Sequence, residues 1–300
     1  MSSLALLLVL VAAALHVAWN VVIKTAGDPL RRSAVAMAAS ALVLAPLAIV
    51  GWLAIGRPSI PPEAFVLGTV SGVLEAIYFA LLSAAYRRGD LSLVYPIARG
   101  TAPLLAVGAG VLVLGERLQP LGAAGVALLL VGLLALQRPW RFVRAGLATG
   151  EGPAVAFAAL TGCSIAAYSA VDRVGARTTE PWIYGAILFA VGAVVLVAWT
   201  MWRRSGVSVD GGPTERPRRE LALGALGGTL ALGAYLLVLG AYTLAPLSAV
   251  APLRESAIVV ASAWGTLRMR EARGADALGR LGAAALVVGG AILLALEASG

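Results

Sequence analysis

The chain has 300 residues, of which 60% are hydrophobic and 13% charged, and its mean hydropathy is +0.91. Soluble domains carry about 25% charged residues, so a soluble fold is excluded, and intrinsic disorder is excluded by the same apolar content. The net charge of +8 does not indicate a nucleic-acid binder, because the basic residues form short clusters between apolar runs. The composition predicts an all-α membrane protein embedded in a lipid bilayer.

Ten apolar runs follow one another along the chain, separated by short loops that contain charges or prolines. A helix needs about 20 such residues to cross about 30 Å of hydrocarbon, so each run predicts one transmembrane helix. The first run lacks the basic start of a signal peptide, and we expect it to remain in the mature protein. The predicted spans are 3–23, 33–55, 64–86, 91–114, 120–137, 153–172, 181–202, 220–242, 247–267 and 277–297.

The loop charges predict the orientation of the chain in the membrane. Loops after the odd-numbered spans carry 17 Lys and Arg residues, whereas loops after the even-numbered spans carry four. Because Lys and Arg are enriched in cytoplasmic loops, both termini are predicted to lie outside. The chain has 22 Arg and one Lys, which is typical of a high-GC bacterial genome and indicates the bacterial cytoplasmic (inner) membrane.

An internal repeat divides the chain into two halves. A shift of 156 places segment 68–96 on segment 224–252, and ten of the 29 positions are identical. Shared low complexity is the alternative, but the ordered Gly, Tyr, Ser and Pro matches argue against it. We predict a first repeat at 1–137, a linker at 138–152 and a second repeat at 153–300. Five spans in each repeat is an odd number, so the two repeats would have inverted topology.

Three short motifs resemble carriers of the EamA family, within the drug/metabolite transporter superfamily. They are AYRRGDLSLVYPIARG at 85–100, GERL at 115–118 and HVAWN at 16–20. The second half departs from the pattern, since RMRE at 268–271 replaces the GERL run. The resemblance covers nearly the whole chain and implies ten spans in two inverted five-helix repeats. It also implies a transporter, although the family's substrates include amino acids, sugars, nucleosides and drugs.

Four charged residues fall well inside the predicted spans, near the expected bilayer centre, namely Glu75, Arg99, Arg254 and Glu255. A charge at the bilayer centre costs about 2.5–3.5 kcal/mol on insertion scales, so such residues are rare and usually functional. The shift of 156 aligns Arg99 with Glu255, and symmetry-related positions can meet at the centre of an inverted repeat. We therefore predict that these two side chains pair at the midplane, with Arg254 nearby. The alternative is that all four charges only lock the helices together.

Polar stripes on spans 1 and 3 supply further candidate residues for substrate binding or coupling. Glu75 and Tyr78 share one face of span 3, and Glu75 is predicted either to carry a coupling proton or to be held ionised by Arg99. His16 and Asn20 share one face of span 1, where His16 could handle protons. Ordinary hydrogen bonding between helices is the alternative for this second stripe.

Further candidates follow from the repeat. Trp19 aligns with Tyr168 at a shift of 149, so both are expected to line the central site. Tyr168 shares its helix face with other polar residues, among them Asp172. Tyr95 lies next to Pro96, and Pro252 is the symmetry-related proline. A proline removes one backbone hydrogen bond and kinks a helix, which predicts hinges or static bends at both positions.

No motif for chemistry other than transport is present in the sequence. It has no P-loop and no cluster with metal-ligand spacing, and its one cysteine, Cys163, permits no internal disulfide. We therefore predict neither an enzyme nor a cofactor. The predicted function is secondary active transport of a small polar metabolite, such as an amino acid or a similar zwitterion or anion, by a monomer or homodimer. We further expect that transport is coupled to protons and that export is slightly favoured over import. The alternative function is a flippase for a lipid-linked group.

Overall fold

The computed structural model describes residues 1–23, 29–206, 217–256 and 274–299, and these residues form helices and connecting turns without any strand. The all-α prediction is confirmed for this part of the chain. The helices are α1 Ser3–Ile23, α2 Pro29–Ala54, α3 Pro62–Tyr86, α4 Leu91–Gly108, α5 Pro120–Gln137, α6 Pro139–Ala148, α7 Gly152–Gly175, α8 Pro181–Gly206, α9 Pro217–Leu244, α10 Leu247–Arg254 and α11 Gly274–Ser299, with a π-helical segment Ala109–Val113 after α4.

Eight stretches of the described chain are long and apolar enough to cross a membrane. They correspond to the second to eighth and the tenth predicted spans, so the count of ten is not confirmed. The predicted ninth span begins with α10 and continues into residues 257–273, which lie outside the described residues. The predicted first span is represented by a shorter apolar helix, Ser3–His16, which is not among the eight. The predicted linker 138–152 contains α6, a helix that the sequence did not predict.

Small residues allow the helices to approach closely, as the Gly-rich faces of the repeat suggest. A Cβ atom on Gly72 of α3 would lie 2.6 Å from the backbone oxygen of Leu188 in α8. Gly228 of α9, which the shift of 156 aligns with Gly72, abuts the backbone of Ala36 in α2. These contacts fix α3 against α8 and α9 against α2. The helices α5 and α11 meet through Gly125 and Gly290 in the same way.

The two ends of the described chain lie at one face of the bundle. The backbone nitrogen of Met1 lies 3.3 Å from the Glu297 carboxylate near the end of α11. Counted from Met1, the helices α1 to α5 and α7 alternate in direction through the bundle, so α3 begins and α7 ends at this face.

Candidate functional site

The predicted pair of Arg99 and Glu255 is present at the centre of the bundle. Nη1 of Arg99 lies 2.9 Å from Oε1 of Glu255, and only 11% and 9% of the two side chains is exposed. Nη2 of Arg99 lies 2.8 Å from Nε2 of His16 in α1. Because a guanidinium group can only donate, Nε2 of His16 accepts this bond. The pairing is therefore confirmed, and it ties α1 and α4 to the end of α10.

Arg254 lies beside this pair but uses less of its hydrogen-bonding capacity. Its Nε is 3.6 Å from Oε1 of Glu255, which is ion-pairing distance but too long for a hydrogen bond. This buried Nε has no hydrogen-bonding partner among the described residues, and the same holds for Oγ of Ser169 and the hydroxyl of Tyr242. Unmet buried donors are rare in folded proteins, so this end of the cluster has unused donor capacity.

A second carboxylate, Asp172 of α7, lies fully buried at the other end of the cluster. The hydroxyl of Tyr184 donates to its Oδ1 at 2.8 Å, and the hydroxyl of Tyr235 donates to its Oδ2. Asp172 was predicted on the polar face of span 6 but not among the candidate site residues. The predicted span ended at residue 172, whereas α7 continues to Gly175.

Glu75 lies in the middle of α3 and is only 6% exposed. It interacts electrostatically with Asp172, Tyr235 and Arg254. Arg99 bonds to Glu255 and His16 and forms no described ion pair with Glu75, so the ionisation of Glu75 by Arg99 stays a prediction without a direct contact. The physical reason for the missing contact is the repeat symmetry, which brings α4 and α10 together and leaves Glu75 facing α7.

Aromatic rings line the space between these charges. The ring centroids of Tyr78 and Tyr168 are 5.9 Å apart, and those of Tyr168 and Tyr235 are 6.3 Å apart, both in edge-to-face geometry. Phe189 extends the series, 5.9 Å from Tyr235. The guanidinium carbon of Arg99 lies 5.9 Å from the ring of Tyr95. The structure thus brings the three predicted tyrosines into the cluster and adds two aromatic residues that the sequence did not single out.

Other predicted site residues are only partly described. Trp19 and Asn20 lie within α1, but their side chains fall outside the described residues. Pro96 lies inside α4, which is assigned as one helix from Leu91 to Gly108, and Pro252 lies two residues before the end of α10. The role of either proline as a hinge stays a prediction.

Comparison with known proteins identifies the family. Residues 3–137 match the model of the EamA-like transporter family. The first half of the chain is therefore EamA-like. The match covers the first predicted repeat, at 1–137. The matched family is a transporter family, and together with the eight long apolar helices the match supports a multi-pass membrane protein.

Solved structures support the fold of this EamA-like protein. One crystal structure is 23% identical to it, aligns over 99% of both chains and gives a TM-score of 0.69. At that identity the likeness concerns the fold alone. No curated protein sequence is significantly similar to the chain.

The GERL motif that carries the family resemblance forms a second buried polar network at the face that contains Met1. Oε1 of Glu116 accepts hydrogen bonds from Nε of Arg173 at 3.1 Å and from the Leu247 backbone at 2.7 Å. Oε2 accepts from the backbone and hydroxyl of Ser248, at 2.9 and 2.8 Å. Nη1 of Arg173 also donates to the Tyr242 carbonyl at 2.7 Å. A carboxylate at a helix N-terminus is favourable, so Glu116 caps α10 and joins it to α7.

Two grooves on the described surface lie apart from the central cluster. The grooves, of about 430 and 200 Å³, lie on the outside of α8. The larger one is lined by apolar side chains, including Trp199 and Trp202. Within residues 1–23, 29–206, 217–256 and 274–299, no group of three or more His, Cys, Asp or Glu side chains could hold a metal ion.

Proposed function

We propose that the chain is a secondary active transporter of a small polar metabolite that carries both a positive and a negative group, such as an amino acid. The observation that supports this most directly is the central cluster in a chain whose first half is EamA-like. Its charges are divided between a cationic end at Arg254 and an acidic end at Glu75 and Asp172. Unused hydrogen-bonding capacity at the cationic end favours a ligand over a purely structural network.

The helix contacts support two inverted repeats that move against each other. The shift of 156 pairs α3 with α9 and α2 with α8, and the packing respects this pairing. The contact of α3 with α8 has a counterpart in α9 with α2, and that of α3 with α7 has one in α9 with α1. Alternating access in inverted-repeat transporters occurs by such a movement around a site near the midplane. The Arg99–Glu255 pair, which joins symmetry-related positions of the two repeats, would lie close to that axis.

Flux into proteoliposomes tests this proposal. The purified protein is reconstituted and offered radiolabelled leucine, the carboxylate 4-methylpentanoate, the amine 3-methylbutylamine and the neutral sugar rhamnose. We expect uptake of the zwitterion above protein-free vesicles. Arg254→Gln should reduce it by at least about tenfold, as expected from loss of a charge-assisted hydrogen bond of about 1.5–3 kcal/mol. Arg177→Gln, which changes an exposed arginine after α7, is the matched control and should leave flux unchanged.

The same vesicles separate this proposal from the flippase alternative. A flippase would move a fluorescent short-chain lipid between leaflets and would not accumulate any of the four water-soluble compounds. An imposed pH gradient in the same assay tests proton coupling, since a coupled carrier accumulates substrate only with the gradient. Comparing uptake with efflux from preloaded vesicles tests the preference for export.

The orientation in a bacterial inner membrane is part of the proposal. The loop charges place both termini outside, and the contact between Met1 and Glu297 is compatible with two termini on one face. A C-terminal alkaline phosphatase fusion should therefore be active, whereas a C-terminal green fluorescent protein fusion should be dark. The opposite result would reverse the orientation.

A further inference from the structure

The acidic end of the central cluster is built from two facing helices that run in opposite directions. Oγ of Ser164 in α7 donates to the Leu74 carbonyl of α3 at 2.9 Å. Two turns further along α7, Asp172 is linked through the Tyr184 hydroxyl to the carbonyl of Leu67. Residue numbers thus rise along α7 as they fall along α3, which makes the two helices antiparallel.

This arrangement directs the two acidic side chains toward each other. Side chains lean toward the N-terminus of their own helix, so on antiparallel helices Glu75 and Asp172 lean into the interval between them. Ser71 lies one turn before Glu75 on the same face and within this interval. Its hydroxyl is fully buried, makes no hydrogen bond of standard geometry, and lies close enough to Asp172 to interact with it. Two carboxylates and one hydroxyl are therefore neighbours between α3 and α7.

The surrounding donors do not satisfy both carboxylates. The Tyr184 and Tyr235 hydroxyls both donate to Asp172. The Tyr235 hydroxyl also lies within reach of Glu75, but it has a single proton to donate, so it can donate to only one of the two carboxylates. Glu75 is 6% exposed, and no Lys, Arg or His side chain of the described residues forms an ion pair with it. A buried carboxylate in this situation requires a cation or a proton.

The charge count of the described cluster is also unbalanced. Three carboxylates, those of Glu75, Asp172 and Glu255, face the two guanidinium groups of Arg99 and Arg254. Arg99 is engaged with Glu255, and Arg254 lies closest to the same carboxylate. One negative charge therefore remains at the acidic end, where a single monovalent cation would balance it.

We propose that Glu75, Asp172 and Ser71 form a binding site for a primary ammonium group. Three oxygen-bearing side chains match the three N–H donors of R–NH₃⁺, and one charge neutralises the site. The rings of Tyr168 and Tyr235, adjacent to this space, favour an organic cation. As a subsite for the substrate's amine, this rests on the proposed transport function. The binding of an ammonium group at this site is argued from the contacts alone and does not require transport.

Thermal unfolding of the purified protein with simple cations tests the site. We expect methylammonium chloride to raise the melting temperature by about 2–4 °C over equal concentrations of sodium chloride. Tetramethylammonium has the same charge but no N–H donor, and it should give no increase. Equal effects of the two organic cations would overturn the proposal. So would protection by lowered pH with none from methylammonium, because the site would then take a proton.

Variants localise the effect within the protein. Glu75→Gln and Asp172→Asn should abolish the increase from methylammonium, and Ser71→Ala should reduce it. Glu63→Gln, an exposed acid in the first turn of the same helix, is the matched control and should keep the full increase. If Asp172→Asn does not fold, Glu75→Gln and Ser71→Ala still test whether methylammonium binds at this site. A full increase in Glu75→Gln would overturn the assignment.

The flux assay separates failure of this site from failure of the transport proposal. A methylammonium effect in a protein that transports none of the four compounds would leave the ammonium site standing and remove the transport proposal. Leucine flux without a methylammonium effect would support transport and overturn the ammonium site.

Discussion

Two buried polar networks in this protein differ in how fully their groups are satisfied. Glu116 accepts four hydrogen bonds, from Arg173, Leu247 and Ser248, and thereby joins the two halves of the chain at one face. Glu75, at the centre, forms no ion pair with the described basic side chains, and Arg254 Nε lacks a hydrogen bond. Both networks contain carboxylates and arginines, so residue type does not distinguish them. The number of unmet groups does, and it separates a network that holds the fold from one that can accept a ligand.

The largest loss of stability should follow removal of Glu116. Glu116→Ala leaves Arg173 without its carboxylate and the Leu247 and Ser248 backbone N–H groups without their acceptor. Breaking a buried ion pair costs about 3–5 kcal/mol. We therefore expect a lower melting temperature, monitored by tryptophan fluorescence in detergent, and lower yield of folded protein. Glu180→Ala, at an exposed position before α8, is the control, and a similar loss there would remove the contrast between the networks.

The Arg99–Glu255 pair should show an intermediate effect, because it is satisfied although it lies in the central cluster. The single changes Arg99→Gln and Glu255→Gln each leave one buried charge unpaired. The double change removes both charges, so it should cost less than the sum of the two. The coupling energy from the double-mutant cycle should lie at about 1–3 kcal/mol. A coupling energy near zero would mean that the pair contributes nothing to holding α4 against α10.

Two serines allow a smaller comparison of the same kind. Ser248 donates to the Glu116 carboxylate at 2.8 Å, whereas Ser71 makes no hydrogen bond of standard geometry in the described chain. Hydrogen bonds to charged groups contribute about 1.5–3 kcal/mol, so Ser248→Ala should destabilise the protein by that amount. Ser71→Ala should have almost no effect on unfolding. Chemical denaturation of both variants in mixed micelles measures the difference, and equal losses would contradict it.

The sequence predicted the Arg99–Glu255 pair better than it predicted the roles of Asp172 and Glu116. Arg99 and Glu255 could be paired because the shift of 156 aligns them, and an inverted repeat brings equivalent positions together. The role of Asp172 was missed because it lies at the end of an apolar run, where a charge usually belongs to a loop. The role of Glu116 could not be found from sequence, since two of its four donors are backbone N–H groups, which no residue pattern reveals.

Glu75→Gln should also have little effect on stability, although it changes a buried charge. An amide removes the unpaired charge while keeping the shape, so the free energy of unfolding should stay within about 1 kcal/mol of the wild type or increase. Flux of the zwitterion should nevertheless fall sharply, because the group that would neutralise the amine is gone. Comparing the melting temperature with the initial rate of uptake in one protein preparation checks this. In Glu116→Ala, by contrast, the loss of stability should be the larger effect. If Glu75→Gln lost as much stability as Glu116→Ala, Glu75 would also hold the fold.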